Sequence, residues 1–120
     1  MALAVSIQRL GDITVVGVDG ELDIYTAPEF REEVGDLGET EDRLIVDLTD
    51  ARLVDSTGLS ALVSLRNRIG ERDGRMGLVC PNPSLRRLFE VTGMDAVFAM
   101  GDHVNQVRDA LLADPAPGSD

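Results

Sequence analysis

The sequence contains no lysine, so all 11 of its basic residues are arginine. The absence of lysine excludes a P-loop, which needs that residue for its phosphates, and Schiff-base catalysis, which needs a lysine amine. The basic residues are outnumbered by 22 acidic ones, and the formal net charge is −11. Nucleic acid and anionic membrane surfaces require a basic footprint that such a chain lacks. We therefore expect no nucleic-acid or membrane partner, and protein partners that carry some complementary positive surface.

Cysteine and histidine occur once each, as Cys80 and His103. A lone cysteine excludes an intrachain disulfide, and these two residues do not make a metal-ligand cluster. No apolar run approaches the roughly 20 residues that a membrane-spanning helix needs. The N-terminus also lacks the basic segment of a signal peptide. These absences predict a cytoplasmic domain without a metal or another cofactor.

The 120 residues do show a regular alternation of strand and helix patterns. Alternating apolar residues predict two strands before residue 19, joined at Gly11 and Asp12 as an antiparallel hairpin. Short apolar runs predict buried strands at residues 44–48 and 76–80, and a weak last strand at residues 97–99. Residues 20–23 have the composition of a loop, and residues 53–54 that of a brief extended segment.

Apolar residues at helical spacing predict four helices. The first begins at a capping box of Thr26 and Glu29 and ends near Gly38. The second helix follows residue 55, and the third begins at Asn82. The fourth occupies the segment after residue 103. These elements predict an α/β sandwich, with a mixed sheet and about four helices mainly on one side. We assign residues 1–113 to this domain and residues 114–120 to a disordered tail.

One turn carries several small polar residues between an extended segment and an amphipathic helix. Asp55, Ser56 and Thr57 are followed there by Gly58. Ordinary helix capping explains such residues at a helix start. The same position concentrates unpaired backbone N–H groups and the positive end of the helix dipole, which favour phosphate. The residues alone leave both interpretations open.

A catalytic role for this turn has little support. A nucleophile elbow needs Gly-x-Ser-x-Gly and a histidine base, whereas Val54 stands two residues before Ser56 and His103 is the only histidine. An aspartyl phosphate on Asp47 or Asp55 would require the lysine that receiver domains carry. Ser56 could instead be a substrate for another protein's kinase. A phosphate would then be accepted at the helix N-terminus, while a partner packed over it would have to bury a dianion.

The same turn carries the resemblance to a known family. The chain resembles the STAS domain of bacterial anti-sigma factor antagonists over about residues 5–112. The matching stretches are residues 20–23, 25–28, 46–48, 55–59 and 85–94. The motif at residues 55–59, in register with Gly-Glu-Leu-Asp at residues 20–23, is far more specific than either stretch alone.

The resemblance implies a regulatory function without catalysis. Ser56 occupies the phosphorylated position, with Thr57 as a minor site, and the partner is an anti-sigma factor with serine kinase activity. The unphosphorylated form would bind that partner and release the sigma factor, phosphorylation would abolish binding, and a metal-dependent serine phosphatase would restore it. The partner-binding residues would be Glu21, Asp23, Asp55, Ser56, Thr57, Gly58 and Ser60. Ser60 replaces a glycine that the family often has there.

Two other interpretations belong to the same family. In the first, the chain is a STAS scaffold subunit of a larger stress-signalling complex, in which Ser56 is silent and self-association dominates. In the second, it is a nucleotide-binding STAS module, because helix N-termini accept phosphates generally. If the protein is a phosphorylation-switched antagonist, we expect a monomer or a weak dimer.

Overall fold

A computed structural model describes residues 3–113, which form six β-strands and five α-helices. The strands are β1 (Leu3–Leu10), β2 (Ile13–Leu22), β3 (Arg43–Asp47), β4 (Ala51–Val54), β5 (Arg75–Val79) and β6 (Ala99–Gly101). The helices are α1 (Ala27–Val34), α2 (Leu37–Thr40), α3 (Ser56–Gly70), α4 (Pro83–Val91) and α5 (Val104–Ala113). The tail predicted at residues 114–120 lies outside the described residues.

The strands form one mixed sheet in the order β1-β2-β3-β5-β6, with β4 paired to β2 off this path. β1 and β2 are antiparallel, and the other pairs are parallel. The hairpin turns at Gly11 and Asp12, where Gly11 takes a φ of 64°. Glycine at the first central position is typical of a type II′ turn, whose twist suits a two-residue hairpin. The predicted mixed sheet with an N-terminal hairpin is confirmed.

Apolar side chains cover both faces of the sheet. The larger core lies on the face that packs against α1, α3 and α4, where Phe30, Leu62 and Phe89 are fully buried. On the other face, β-strand residues such as Ile45 pack against Val107 and Leu111. Val107 and Leu111 belong to α5, which is the one helix of the five described that covers this face of the sheet. The helices therefore lie mainly on one side, as predicted.

Two predicted strand boundaries were wrong. Residues 20–22 continue β2 and do not form a loop, because β4 supplies a parallel partner that pairs Gly20 with Ala51 and Leu22 with Val54. The last strand begins at Ala99, two residues later than expected. The preceding Met94–Ala96 segment is a 3-10 helix, and its Met94 carbonyl accepts hydrogen bonds from the backbone N–H groups of residues 97 and 98.

The predicted first helix is interrupted, and its capping box is absent. Thr26 makes no side-chain cap on α1, because its hydroxyl donates to the Glu21 carbonyl at 2.7 Å. α1 ends at Val34, and α2 follows as a separate single turn. The Gly35 carbonyl, which follows α1, accepts a hydrogen bond from Arg68 at 2.7 Å. This contact from α3 gives a hydrogen-bond donor to a carbonyl oxygen that has no intrahelical partner at the end of α1.

A polar cluster ties the hairpin to the segment between α2 and β3. The Glu41 carboxylate accepts hydrogen bonds from the hydroxyls of Thr14 and Thr40 and from Arg9 at 2.7 Å. The hydrogen bond from Thr14, helped by Thr40 and by the charges of Arg9 and Arg72, lowers the pKa of Glu41 against the opposing effect of burial. The cluster thus anchors the closed end of the hairpin with a charged carboxylate.

The backbone of β2 lies close to the start of α3. The Asp55 N–H donates to the Leu22 carbonyl at 3.2 Å. A Cβ atom added to Gly58 would lie 2.2 Å from the same carbonyl oxygen, well inside the contact distance of any side chain. Glycine is therefore required at residue 58 for α3 to begin where it does.

Replacing Gly58 by alanine should destabilise the domain by about 1–3 kcal/mol or more, because the methyl group overlaps a backbone oxygen. The free energy of unfolding is measured by chemical denaturation. Gly70→Ala is the matched control in the same helix, since an added Cβ there meets nothing within 4 Å. We expect it to be neutral or to stabilise by up to about 1 kcal/mol. Equal stabilities of the two variants would contradict the close approach.

Candidate functional site

The candidate site lies where β2 and β4 end side by side and α3 begins. Asp55 is the N-cap of α3: its backbone is extended, and its Oδ1 accepts a hydrogen bond from the Gly58 N–H at 2.9 Å. Its carbonyl oxygen accepts another from the Leu59 N–H at 2.8 Å. Asp55 therefore performs the capping, and Ser56 is the first helical residue.

The second carboxylate oxygen of Asp55 holds the loop between β2 and α1. Asp55 Oδ2 accepts a hydrogen bond from the Ile24 N–H at 3.1 Å. Asp23 folds the same loop, because its Oδ1 accepts hydrogen bonds from the N–H groups of Tyr25 at 2.9 Å and Thr26 at 3.1 Å. Two of the three carboxylates that were predicted to bind a partner, those of Asp23 and Asp55, thus organise the backbone of the site.

Ser56 has a different environment from these aspartates. Its side chain is exposed, and its hydroxyl has no hydrogen-bond partner within residues 3–113. Because the first turn of a helix has no preceding carbonyls, the N–H groups of Ser56 and Thr57 also lack intrahelical acceptors. Thr57 is half-buried. The helix start therefore presents an accessible hydroxyl together with a local positive dipole.

The predicted site residues gather around this end of the sheet with different degrees of exposure. Gly58 is buried, and Glu21 is half-buried in β2 beside Leu53. Ser60 is exposed and lies one helical turn after Ser56, so both hydroxyls are on the same face of α3. The residues that the structure brings to this region are Glu21, Asp23, Asp55, Ser56, Thr57, Gly58 and Ser60.

Sequence reasoning missed the exposed apolar residues beside the turn. Tyr25 is 85% exposed and Ile24 is 59% exposed, in the loop that Asp55 holds. Leu53, two residues before Asp55, is 43% exposed. We call Ile24, Tyr25 and Leu53 the apolar rim. An isoleucine and a tyrosine in a short connection between a strand and a helix were the signal available in the sequence.

The one histidine of the chain, His103, does not lie on the same face of the sheet as α3. His103 immediately precedes α5, which packs on the sheet face opposite α3. Among residues 3–113, no three histidine, cysteine or acidic side chains are grouped so that they could hold a metal ion. In the same range, no helix combines the length and hydrophobicity needed to cross a bilayer.

Comparison with known proteins identifies the family. The model of the STAS domain matches residues 4–107, and the chain belongs to the STAS domain family. An anti-sigma-B factor antagonist from Bacillus subtilis (strain 168) is 32% identical over 94 residues, which cover 78% of this chain and 86% of that protein. The crystal structure of an anti-sigma factor antagonist from Mycobacterium paratuberculosis superposes with a TM-score of 0.85 at 26% identity, covering 92% and 95% of the two chains.

A more distant structural relative is known in two chemical forms. The anti-sigma factor antagonist SpoIIAA in its unphosphorylated form matches with a TM-score of 0.71 at 17% identity, covering 93% of this chain and all of that one. The phosphorylated form of the same Bacillus protein gives a TM-score of 0.69 at 18% identity, covering 89% and 98%. At these identities the likeness establishes the shared fold, which the predicted α/β sandwich matches.

Asp55→Ala should lower the free energy of unfolding by about 0.5–2 kcal/mol, because α3 loses its cap. The same change should release the Ile24 amide, whose hydrogen exchange is expected to accelerate. Ser56→Ala is the control, since the exposed hydroxyl has no partner in the described part of the chain, and the stability of this variant should stay within about 0.5 kcal/mol of wild type. Unchanged protection of the Ile24 amide in Asp55→Ala would show that the loop is held by other contacts.

Proposed function

We propose that this protein is an anti-sigma factor antagonist, a binding module without catalytic activity that is switched by phosphorylation of Ser56. The unphosphorylated form binds an anti-sigma factor with serine kinase activity and so releases the sigma factor. Phosphorylation abolishes this binding, and a metal-dependent serine phosphatase restores it. The observation that carries the proposal is the exposed Ser56 hydroxyl at the start of α3, which has no partner among residues 3–113, in a STAS-family chain that is 32% identical to an anti-sigma-B factor antagonist.

The start of α3 can hold a phosphate without a change of fold. A phosphoserine carries about −1.5 to −2 charges at neutral pH. The N–H groups of Ser56 and Thr57 and the helix dipole favour that charge, typically by 0.3–1 kcal/mol. The Asp55 carboxylate already accepts the hydrogen bond from the Gly58 N–H, so the phosphate does not need to replace the existing helix cap. Thr57 is half-buried, and this supports its assignment as a minor site only.

The same phosphate would oppose the binding of a partner. A protein packed on the apolar rim would cover the turn between Asp55 and Gly58. It would then have to remove a phosphate dianion from water beside the Asp55 carboxylate, and burial of an uncompensated charge costs several kcal/mol. The switch therefore acts on the interface, while the hydrogen bonds that build the site remain in place.

Incubation with the cognate anti-sigma kinase and ATP should place phosphate on Ser56, as measured by intact mass and peptide mapping. Ser56→Ala should remain unphosphorylated and still bind the anti-sigma factor, whereas Ser56→Asp should lose binding. Ser84→Ala is the matched control, because Ser84 is also exposed in the first turn of a helix, after the Asn82 cap. It should behave as wild type. Phosphorylation of Ser56→Ala at the wild-type rate would refute the assignment.

Tyr25→Ala should weaken binding of the unphosphorylated protein to the anti-sigma factor by about 2 kcal/mol, or roughly 30-fold in Kd. Exposed aromatic residues beside a recognition site often supply much of the binding energy. Calorimetry measures the affinity, and thermal unfolding should show no loss of stability. Leu112→Ala is the control, since Leu112 is 46% exposed on α5, which covers the other face of the sheet. Equal affinities of the two variants for the anti-sigma factor would show that Tyr25 of the apolar rim is not part of the interface.

A further inference from the structure

Within residues 3–113, β1 has one unpaired strand edge, and we propose that two copies of this chain associate through it as a closed, two-fold dimer. β1 stands at one end of the sheet, and among residues 3–113 its only paired neighbour is β2. The strand has eight residues, whereas β6 at the other end has three. A long unpaired edge offers a row of N–H and C=O groups to another strand.

The sequence of β1 has few of the features that usually protect a sheet edge. Proteins blunt such edges with proline, charged side chains or bulges. The eight residues contain no proline, and Arg9 is their only charged residue. The register with β2 runs without a shift from Leu3 to Leu10. Ile7 is 49% exposed and Leu10 is 37% exposed on this unprotected strand.

The hairpin determines which backbone groups of β1 point outward. In a two-residue hairpin, the residues that flank the turn form a hydrogen-bonded pair, and such pairs then alternate along the strands. The flanking pair is Leu10 with Ile13. The even-numbered residues of β1 therefore bond to β2. The outward N–H and C=O groups belong to Leu3, Val5, Ile7 and Arg9.

One antiparallel register uses all of these outward groups. If the two-fold axis passes beside Ser6, Val5 of each copy pairs with Ile7 of the other, and Leu3 pairs with Arg9. The side chains of Val5 and Ile7 lie on the larger-core face of the sheet, since their β2 partners are Val18 and Val16. The pairing would join two apolar strips into one and would cover the exposed part of Ile7.

The charge pattern of β1 is compatible with a second copy as the occupant. In this register Arg9 faces Leu3, so no like charges lie opposite each other. Arg9 is also already bound to Glu41 at 2.7 Å. Pairing consumes the β1 edge of both copies, and the assembly closes at two. The net charge of −11 on each copy opposes association, so the dimer should tighten when salt screens that repulsion.

Sedimentation velocity of the full chain over a range of protein and salt concentrations tests this proposal. The dimer fraction should rise with the protein concentration and with the salt concentration. Ile7→Lys should weaken dimerisation at least tenfold, although lysine reduces the net negative charge of each copy. Ile7→Pro should do the same by removing an outward N–H, a substitution that an edge strand tolerates. Leu112→Lys, an exposed apolar position on α5, should dimerise as wild type does.

Three results would overturn the proposal. The wild-type protein could stay monomeric at every concentration and salt level, or it could form assemblies larger than a dimer. The variants at Ile7 and Leu112 could also weaken association equally. Far-ultraviolet circular dichroism confirms that each variant is folded. Phosphorylation of Ser56 in Ile7→Lys is measured in parallel. Because this phosphorylation does not depend on β1 pairing, a failure of the dimer proposal can be distinguished from a failure of the proposed switch.

Discussion

The Asp55 carboxylate is the contact on which the organisation of the site depends. One of its oxygens caps α3 at Gly58, and the other holds the Ile24 N–H of the neighbouring loop. A single side chain thereby fixes the start of the helix relative to the end of β2. Because Gly58 has no side chain, the helix start can approach the Leu22 carbonyl closely enough for both bonds to form. The positions of Ser56 and Tyr25 follow from this arrangement.

This arrangement separates the residues that build the site from those available to a partner. Asp23, Asp55 and Gly58 are engaged in hydrogen bonds or close backbone packing. Ser56 and Tyr25 are exposed and contribute side chains that the fold does not require. In the proposed function, a modification of Ser56 would change the surface without removing the hydrogen bonds that build the site. This separation is the physical basis of the proposed switch in a member of the STAS domain family.

The sequence predicted the elements whose patterns are local, and it failed where distant residues intervene. The alternation of strands and helices, the N-terminal hairpin and the helix after Asp55 were all predicted. Residues 20–22 were not recognised as strand, because their partner β4 lies some thirty residues later in the chain. Thr26 was assigned as a helix cap from its spacing to Glu29, yet its hydroxyl bonds to the Glu21 carbonyl. Local spacing could not reveal that competing acceptor.

The sequence by itself determined that the chain has no lysine and only one cysteine and one histidine, and it predicted a serine at a helix start in a family motif. These properties depend on composition and on neighbouring residues. The tertiary structure decided that Asp55 caps the helix, that its second oxygen orders a loop 31 residues away, and that Tyr25 projects from that loop. Exposure and long-range hydrogen bonds arise only when β2, β4 and α3 meet, because each depends on which surfaces the packed elements leave uncovered.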